Sequence, residues 1–81
     1  MSRSSRTPRQ ARLQEILIKA RKAAGMTQAE VAMKLQRPQS FVSKYESGER
    51  RLDVVELLEV AQVIGVDAMK WVRQLLAVAS I

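Results

Sequence analysis

Residues 27–51, TQAEVAMKLQRPQSFVSKYESGERR, decide how this chain folds. Thr27 is a strong helix N-cap, and Glu30 three positions later completes a capping box. The spacing predicts a helix over about residues 28–35, with Val31, Ala32 and Leu35 as its apolar stripe. A helix of about eight residues does not hold alone, so packing must stabilise it. Gln36, Arg37 and Pro38 then interrupt. Pro38 disfavours the helical region for Arg37 and suits the first turn of a new helix. That helix is expected from Pro38 or Gln39 to Ser47, where Gly48 stops it. The loop GERRL, residues 48–52, follows.

At about 100° per residue, the helix over 39–47 separates into two faces. Phe41, Val42 and Tyr45 fall on one side and form a wall for packing. Gln39, Ser40, Ser43, Lys44 and Ser47 fall on the other. Exposed helix surfaces ordinarily favour Glu, Lys, Arg and Ala, so this short, mostly uncharged face is unusual. It suits the edges of bases. Glutamine bonds adenine through two atoms, lysine reaches guanine, and serine both donates and accepts.

Outward from this pair, the pattern stays helical. Leu13, Ile16, Leu17, Ala20 and Ala24 form one apolar face of a first helix, which Gly25 ends. Asp53 and Glu56 make a second capping box. They start a fourth helix with Val54, Leu57, Leu58, Ala61 and Ile64 apolar, stopped by Gly65. Asp67 caps a fifth, expected over about residues 68–79. No run shows the alternation and tight turn of a hairpin. The expected fold is all-α: five short helices in one domain over residues 9–81. Residues 1–8, MSRSSRTP, form a basic N-terminal arm that is expected to be flexible.

The composition agrees with a small folded domain. At 81 residues a second domain is not expected, and 47% of the chain is hydrophobic. The chain has no cysteine and no histidine, which excludes disulfides, Cys/His zinc sites and His- or Cys-based catalysis. No apolar run is long enough to span a membrane, and no secretory signal opens the sequence. A cytoplasmic location is expected. The net charge is +6 and is unevenly placed. Residues 1–51 carry 12 basic and 4 acidic side chains, and residues 52–81 carry 2 and 4. Such a field suits a polyanionic partner on one side of the molecule.

A short helix, a tight turn and a second short helix with a polar outer face form a helix-turn-helix. Residues 17–72 resemble the lambda-repressor-like helix-turn-helix family, in its Xre/Cro branch. The resemblance rests on Arg21 and Gly25, TQAEVA at 27–32, Leu35, PQSFVSKYESGER at 38–50, and the closing Ile64, Gly65 and Val66. It implies sequence-specific binding of double-stranded DNA and transcription regulation. Gln39, Ser40, Ser43 and Lys44 would contact bases. Thr27, Gln28, Arg37, Ser47, Arg50 and Arg51 would contact phosphates, with Gln28 also bracing the third helix. Arg21 and Glu46 would form a structural salt bridge. Ala32 would sit at the helix crossing and Val42 in the core. Two positions depart from the family pattern. Gln36 stands where a turn glycine is usual, and Pro38 replaces a Ser or Thr cap.

Other residues have simpler readings. Phe41, Tyr45 and Trp71 occupy apolar helical positions and are expected in the core, with Met26, Met33 and Met69 as filler. Glu49, Asp53, Glu56 and Glu59 read as loop charge, cap and helix surface. No enzymatic activity, metal or cofactor is expected. The last helix is more apolar than one domain face requires. Val72, Leu75, Leu76, Val78 and Ala79 are therefore expected at a homodimer interface. A pseudo-palindromic operator and repression by blocking polymerase complete the expectation. The rival is a protein-interaction module that engages another protein through the fifth helix. Binding to RNA or an anionic membrane is a third possibility, and the Ser/Gln face disfavours it for a membrane.

Overall fold

The computed structural model describes residues 7–78. Five helices follow in order: α1 (Pro8–Ala23), α2 (Gln28–Leu35), α3 (Gln39–Ser47), α4 (Val54–Ile64) and α5 (Ala68–Leu76). The described residues contain no strand. α2 packs on α3 and α4, α1 on α3 and α5, and α4 on α5. The core gathers at their meeting point: Ile16 and Leu17 from α1, Val31 and Ala32 from α2, Phe41, Val42 and Tyr45 from α3, Val60, Ala61 and Ile64 from α4, and Trp71 from α5.

Local chemistry sets most of the boundaries. Thr27 Oγ1 accepts from the Glu30 N–H while the Glu30 carboxylate accepts from the Thr27 N–H, which is the reciprocal capping box. Asp53 and Glu56 repeat it at α4. α1 starts earlier than the apolar pattern announces. Thr7 caps it by accepting from the Gln10 N–H, and Pro8 occupies the first turn, where a missing N–H costs nothing. Thr7 and Pro8 thus join the folded unit, while the rest of the expected arm, residues 1–6, lies outside the described residues.

The turn between α2 and α3 is made by Gln36 in the left-handed region, at φ 59° and ψ 43°. It is the only non-glycine residue with positive φ among the described residues. The Arg37 N–H bonds the Ala32 carbonyl at 3.0 Å and closes the end of α2. Pro38 then takes the N-cap position of α3 at φ −62°, with no side-chain cap bond.

Four expectations are corrected. On α4, the buried face runs through Leu57, Val60, Ala61 and Ile64, so Val54 and Leu58 turn outward, 72% and 50% exposed. On the helical wheel they lie roughly 70° and 110° from that face. Met33 and Met69 are surface residues rather than core filler, whereas Met26 does pack against the core, and Ala24 is exposed as the C-cap of α1. Finally, α5 stops at Leu76 instead of continuing to Ala79. The Arg9 Nε donates to the carbonyls of Leu75 at 3.0 Å and Val78 at 3.2 Å, satisfying the acceptors left at the helix end.

Candidate nucleic-acid interface

α3 is built to hold one face inward. Val42 and Tyr45 are fully buried, and Phe41 meets Tyr45 edge to face with ring centroids 5.5 Å apart. The remaining face points to solvent: Gln39, Ser40, Lys44 and Ser47 are exposed and Ser43 is half-buried. The Ser43 hydroxyl donates to the Ser40 carbonyl at 3.2 Å, and Ser47 donates to the Lys44 carbonyl at 3.1 Å. Both oxygens keep acceptor capacity. Gln39, Ser40, Ser43 and Lys44 therefore come together on one rigid helix, as the sequence pattern implies.

An acidic residue inside the helix fixes its seat. Glu46 is buried, and Arg21 of α1 reaches it through two bonds, Nε to Oε2 at 2.7 Å and Nη2 to Oε1 at 3.0 Å. The Arg21 Nη1 also donates to the Met26 carbonyl at 3.0 Å, which ties in the loop before α2. The bond from Glu46 raises the Arg21 pKa above its ordinary value, against the opposing effect of burial. Gln28 of α2 completes the network, donating from Nε2 to Glu46 Oε1 at 2.9 Å. Three helices thus converge on one carboxylate. Removing one member of such a buried charged network leaves the others uncompensated.

The Gln14 side chain adds a contact that sequence reasoning missed. It is buried, and its Nε2 donates to the Glu46 carbonyl at 3.2 Å. It also lies against Gly48, whose φ is +90°; a Cβ there would sit 2.7 Å from Gln14 Nε2. Nothing in the sequence signals it, because Gln14 lies about 100° round the helix from the centre of the apolar face of α1.

A second acidic residue, also missed, holds the segments that flank α3. Glu56, read from the sequence as cap and surface, is buried. Arg50 grips it with both arms, Nη1 to Oε1 at 2.9 Å and Nη2 to Oε2 at 2.8 Å. Arg37 stands 3.7 Å from the same carboxylate. The Arg50 bonds, with help from the Asp53 N–H, draw the Glu56 pKa down to about 2. The two guanidinium groups lie over the Phe41 ring, Arg37 at 4.5 Å and Arg50 at 4.8 Å from its centroid. Arg37 comes from the turn before α3 and Arg50 from the loop after it. The cap at Asp53 already placed Glu56 one loop away from Arg50, so this pairing had a legible half.

The remaining sequence-predicted residues surround this frame. Thr27 is exposed at the start of α2, with its hydroxyl oxygen engaged in the capping box. Arg51 is exposed in the loop after α3, and its carbonyl accepts from the Arg50 guanidinium at 3.0 Å. On α5, Leu76 is 66% exposed and Val72 half-buried. Leu75 instead packs against the core, and Val78 is half-buried with its carbonyl bound by Arg9. Ala79 lies outside the described residues. No helix among the described residues is long and apolar enough to cross a membrane. No cluster of acidic side chains suited to a metal ion occurs among them either.

Comparison with known proteins places this architecture. No curated protein matches the sequence. An XRE-family like protein from Pseudomonas syringae pv. tomato str. DC3000 is 49% identical, with a TM-score of 0.82 over 85% of this chain and 84% of that one. The wild-type restriction-modification controller protein C.Esp1396I is 21% identical and superimposes with a TM-score of 0.77, covering 86% of this chain and 92% of its own. A point mutant of that controller, 23% identical, gives the same TM-score over 86% and 89%. At that identity the controller shares the fold alone. Residues 17–71, which hold the capped α2, the turn at Gln36 and the buried seat of α3, match the helix-turn-helix family model. With that match and the 49% identical relative, the chain belongs to the helix-turn-helix family, in its XRE-like branch.

Proposed function

We propose that this chain is a transcription regulator that binds double-stranded DNA sequence-specifically, with residues 38–47 in the major groove. One observation carries the reading. α3 buries one face completely and presents Gln39, Ser40, Ser43 and Lys44 on the other, on a helix held by two buried carboxylates: Glu46 in its last turn, and Glu56, which faces Arg37 before the helix and Arg50 after it. Such a face reads bases only if its orientation is fixed, and the Arg21–Glu46 and Arg50–Glu56 pairs fix it. Thr27, Gln28, Arg37, Ser47, Arg50 and Arg51 surround it as phosphate contacts, and these set affinity rather than sequence preference.

The working unit is a homodimer on a pseudo-palindromic operator, acting as a repressor in the cytoplasm. Leu76 and Met69, 66% and 54% exposed on α5, support a second copy there, with Val72 beside them. Repression follows from occupying DNA that polymerase needs.

Selection from a random duplex pool at about 150 mM salt tests this, because non-specific binding is suppressed there. The expected product is an inverted repeat with half-sites about 10 base pairs apart. Gln39→Ala should then relax one position by about 1–3 kcal/mol of discrimination. Arg51→Ala should weaken all sequences alike and flatten the salt slope by about one. An unchanged preferred sequence in Gln39→Ala would remove the assigned recognition face. A single unrepeated site would remove the symmetric dimer.

A further inference from the structure

Away from the recognition helix, α1 and α5 enclose an open groove of about 300 Å³. Its accessible floor is Ala20, Ala23 and Val66, laid over the buried Ile16 and Trp71, and its rim carries Arg12, Lys19 and Lys70. No carboxylate lines it. Arg12 spends part of its charge on Glu15, at 3.0 Å. Lys19 and Lys70 are exposed and form no ion pair among the described residues. An apolar floor ringed by cations, with no anion of its own, is chemically one-sided.

We propose that this groove docks an acidic amphipathic segment of a partner protein, with apolar side chains on the floor and carboxylates on the rim. The volume is at the low end of small-molecule pockets, about 300–1,000 Å³, and the site is open rather than enclosed. It therefore suits a few side chains of a helix laid along it. Duplex DNA would satisfy Lys19 and Lys70 but offers nothing apolar to cover Ala20, Ala23 and Val66. A flat anionic bilayer cannot reach the floor of a concave groove. The chain's own N-terminal arm, with Arg3 and Arg6, has the wrong sign. This surface is separate from the exposed face of α3, so a bound partner leaves that face free.

Trp71 is the only tryptophan of the chain and lies just under the floor, so the full-length protein reports on its own groove. The probe is a synthetic peptide of about 15 residues, long enough to form a helix, with leucines on one face and glutamates on the other. A scrambled isomer of equal composition is the control. Saturable binding is expected, with a Trp71 fluorescence change and amide shifts confined to Ile16, Lys19, Val66, Lys70 and their neighbours. Lys19→Glu with Lys70→Glu should weaken it at least about tenfold. The charge-matched pair Lys22→Glu with Arg73→Glu, outside the groove, should change it less than about twofold. If the first pair fails to fold, Lys19→Gln with Lys70→Gln replaces it, with a smaller loss in the same direction. Equal binding of the scrambled isomer would overturn the proposal, as would no saturation by about 1 mM or equal loss in both variant pairs. So would peptide-independent, concentration-dependent shifts at the groove, because they would assign it to a second copy. Binding of phosphatidylglycerol vesicles in place of the peptide would overturn it as well.

Discussion

Replacing Gly48 by alanine tests how tightly α3 is seated, because two separable effects meet at that residue. The first is conformational. Gly48 ends α3 at φ 90° and ψ 1°, a region that costs an L side chain about 1–2 kcal/mol. The second is steric. The new methyl would stand 2.7 Å from Gln14 Nε2, the far end of a buried side chain. Gln14 must move, and its bond to the Glu46 carbonyl, 3.2 Å long, breaks with it. Losing a buried hydrogen bond adds about 1–2 kcal/mol. The sum is about 2–4 kcal/mol, which lowers the melting temperature of a domain this size by roughly 10–25 °C. Gly25→Ala is the internal control, since Gly25 has φ +71° but nothing within 4 Å of its would-be Cβ. It should show the conformational part alone. Urea unfolding followed by circular dichroism gives both values. In a Gln14→Ala background, Gly48→Ala should cost no more than Gly25→Ala does. Equal destabilisation by the two glycine variants in the wild-type background would refute the steric argument.

Four further outcomes follow from the same frame. Gln36→Gly should stabilise the fold by about 0.5–1 kcal/mol, seen as a higher urea midpoint, because it relieves the left-handed residue in the turn. Tyr45→Phe should be neutral or stabilising by up to about 1 kcal/mol in the same assay, since the buried Tyr45 hydroxyl has no hydrogen-bond partner; a loss above that would show that the hydroxyl is bonded. Burial also pushes the Tyr45 phenol pKa up, so its absorbance should not titrate below about pH 11 while the protein stays folded. Glu56→Gln keeps the size and the cap but removes the charge that Arg50 grips. The Glu56 pKa is about 2 in the folded state and near 4.3 unfolded, so its charge contributes fully above that upper value and is lost as pH falls toward 2. The variant should melt below wild type at pH 7, and the gap should close near pH 2; a gap of constant size would point to lost packing instead.

Much of this architecture is legible in the residues because local chemistry and tertiary packing agree. The two capping boxes and the stop at Gly48 are short-range events that the sequence announces, whereas the strained turn at Gln36 follows from resemblance to a family whose turn glycine it replaces. Arg21 and Glu46 lie 25 residues apart, and their pairing follows only from resemblance to a family. α4 is less readable. Its apolar residues support two overlapping stripes, one through Val54 and Leu58 and one through Val60 and Ile64. Only contact with α2 and α5 selects the second. Arg50 and Glu56 are six residues apart across an irregular loop, where no helical or strand period relates them. Gln14 reads as an ordinary surface residue until α3 brings a carbonyl over it. What escapes the sequence is therefore the reach of long side chains across loops and between helices.

The division of labour within α3 bears on how such a protein changes its target. Every residue that positions the helix points inward or lies outside it: Glu46, Phe41 and Val42 within, Arg21, Gln28 and Glu56 beyond. Gln39, Ser40 and Lys44 are exposed and hold nothing else in place. Substitutions at such sites usually alter stability by no more than about 0.5 kcal/mol. The proposed recognition positions can therefore vary independently of the scaffold. On the proposed reading a new sequence preference needs no change in the scaffold, and a library randomised at these three positions should consist almost entirely of folded proteins.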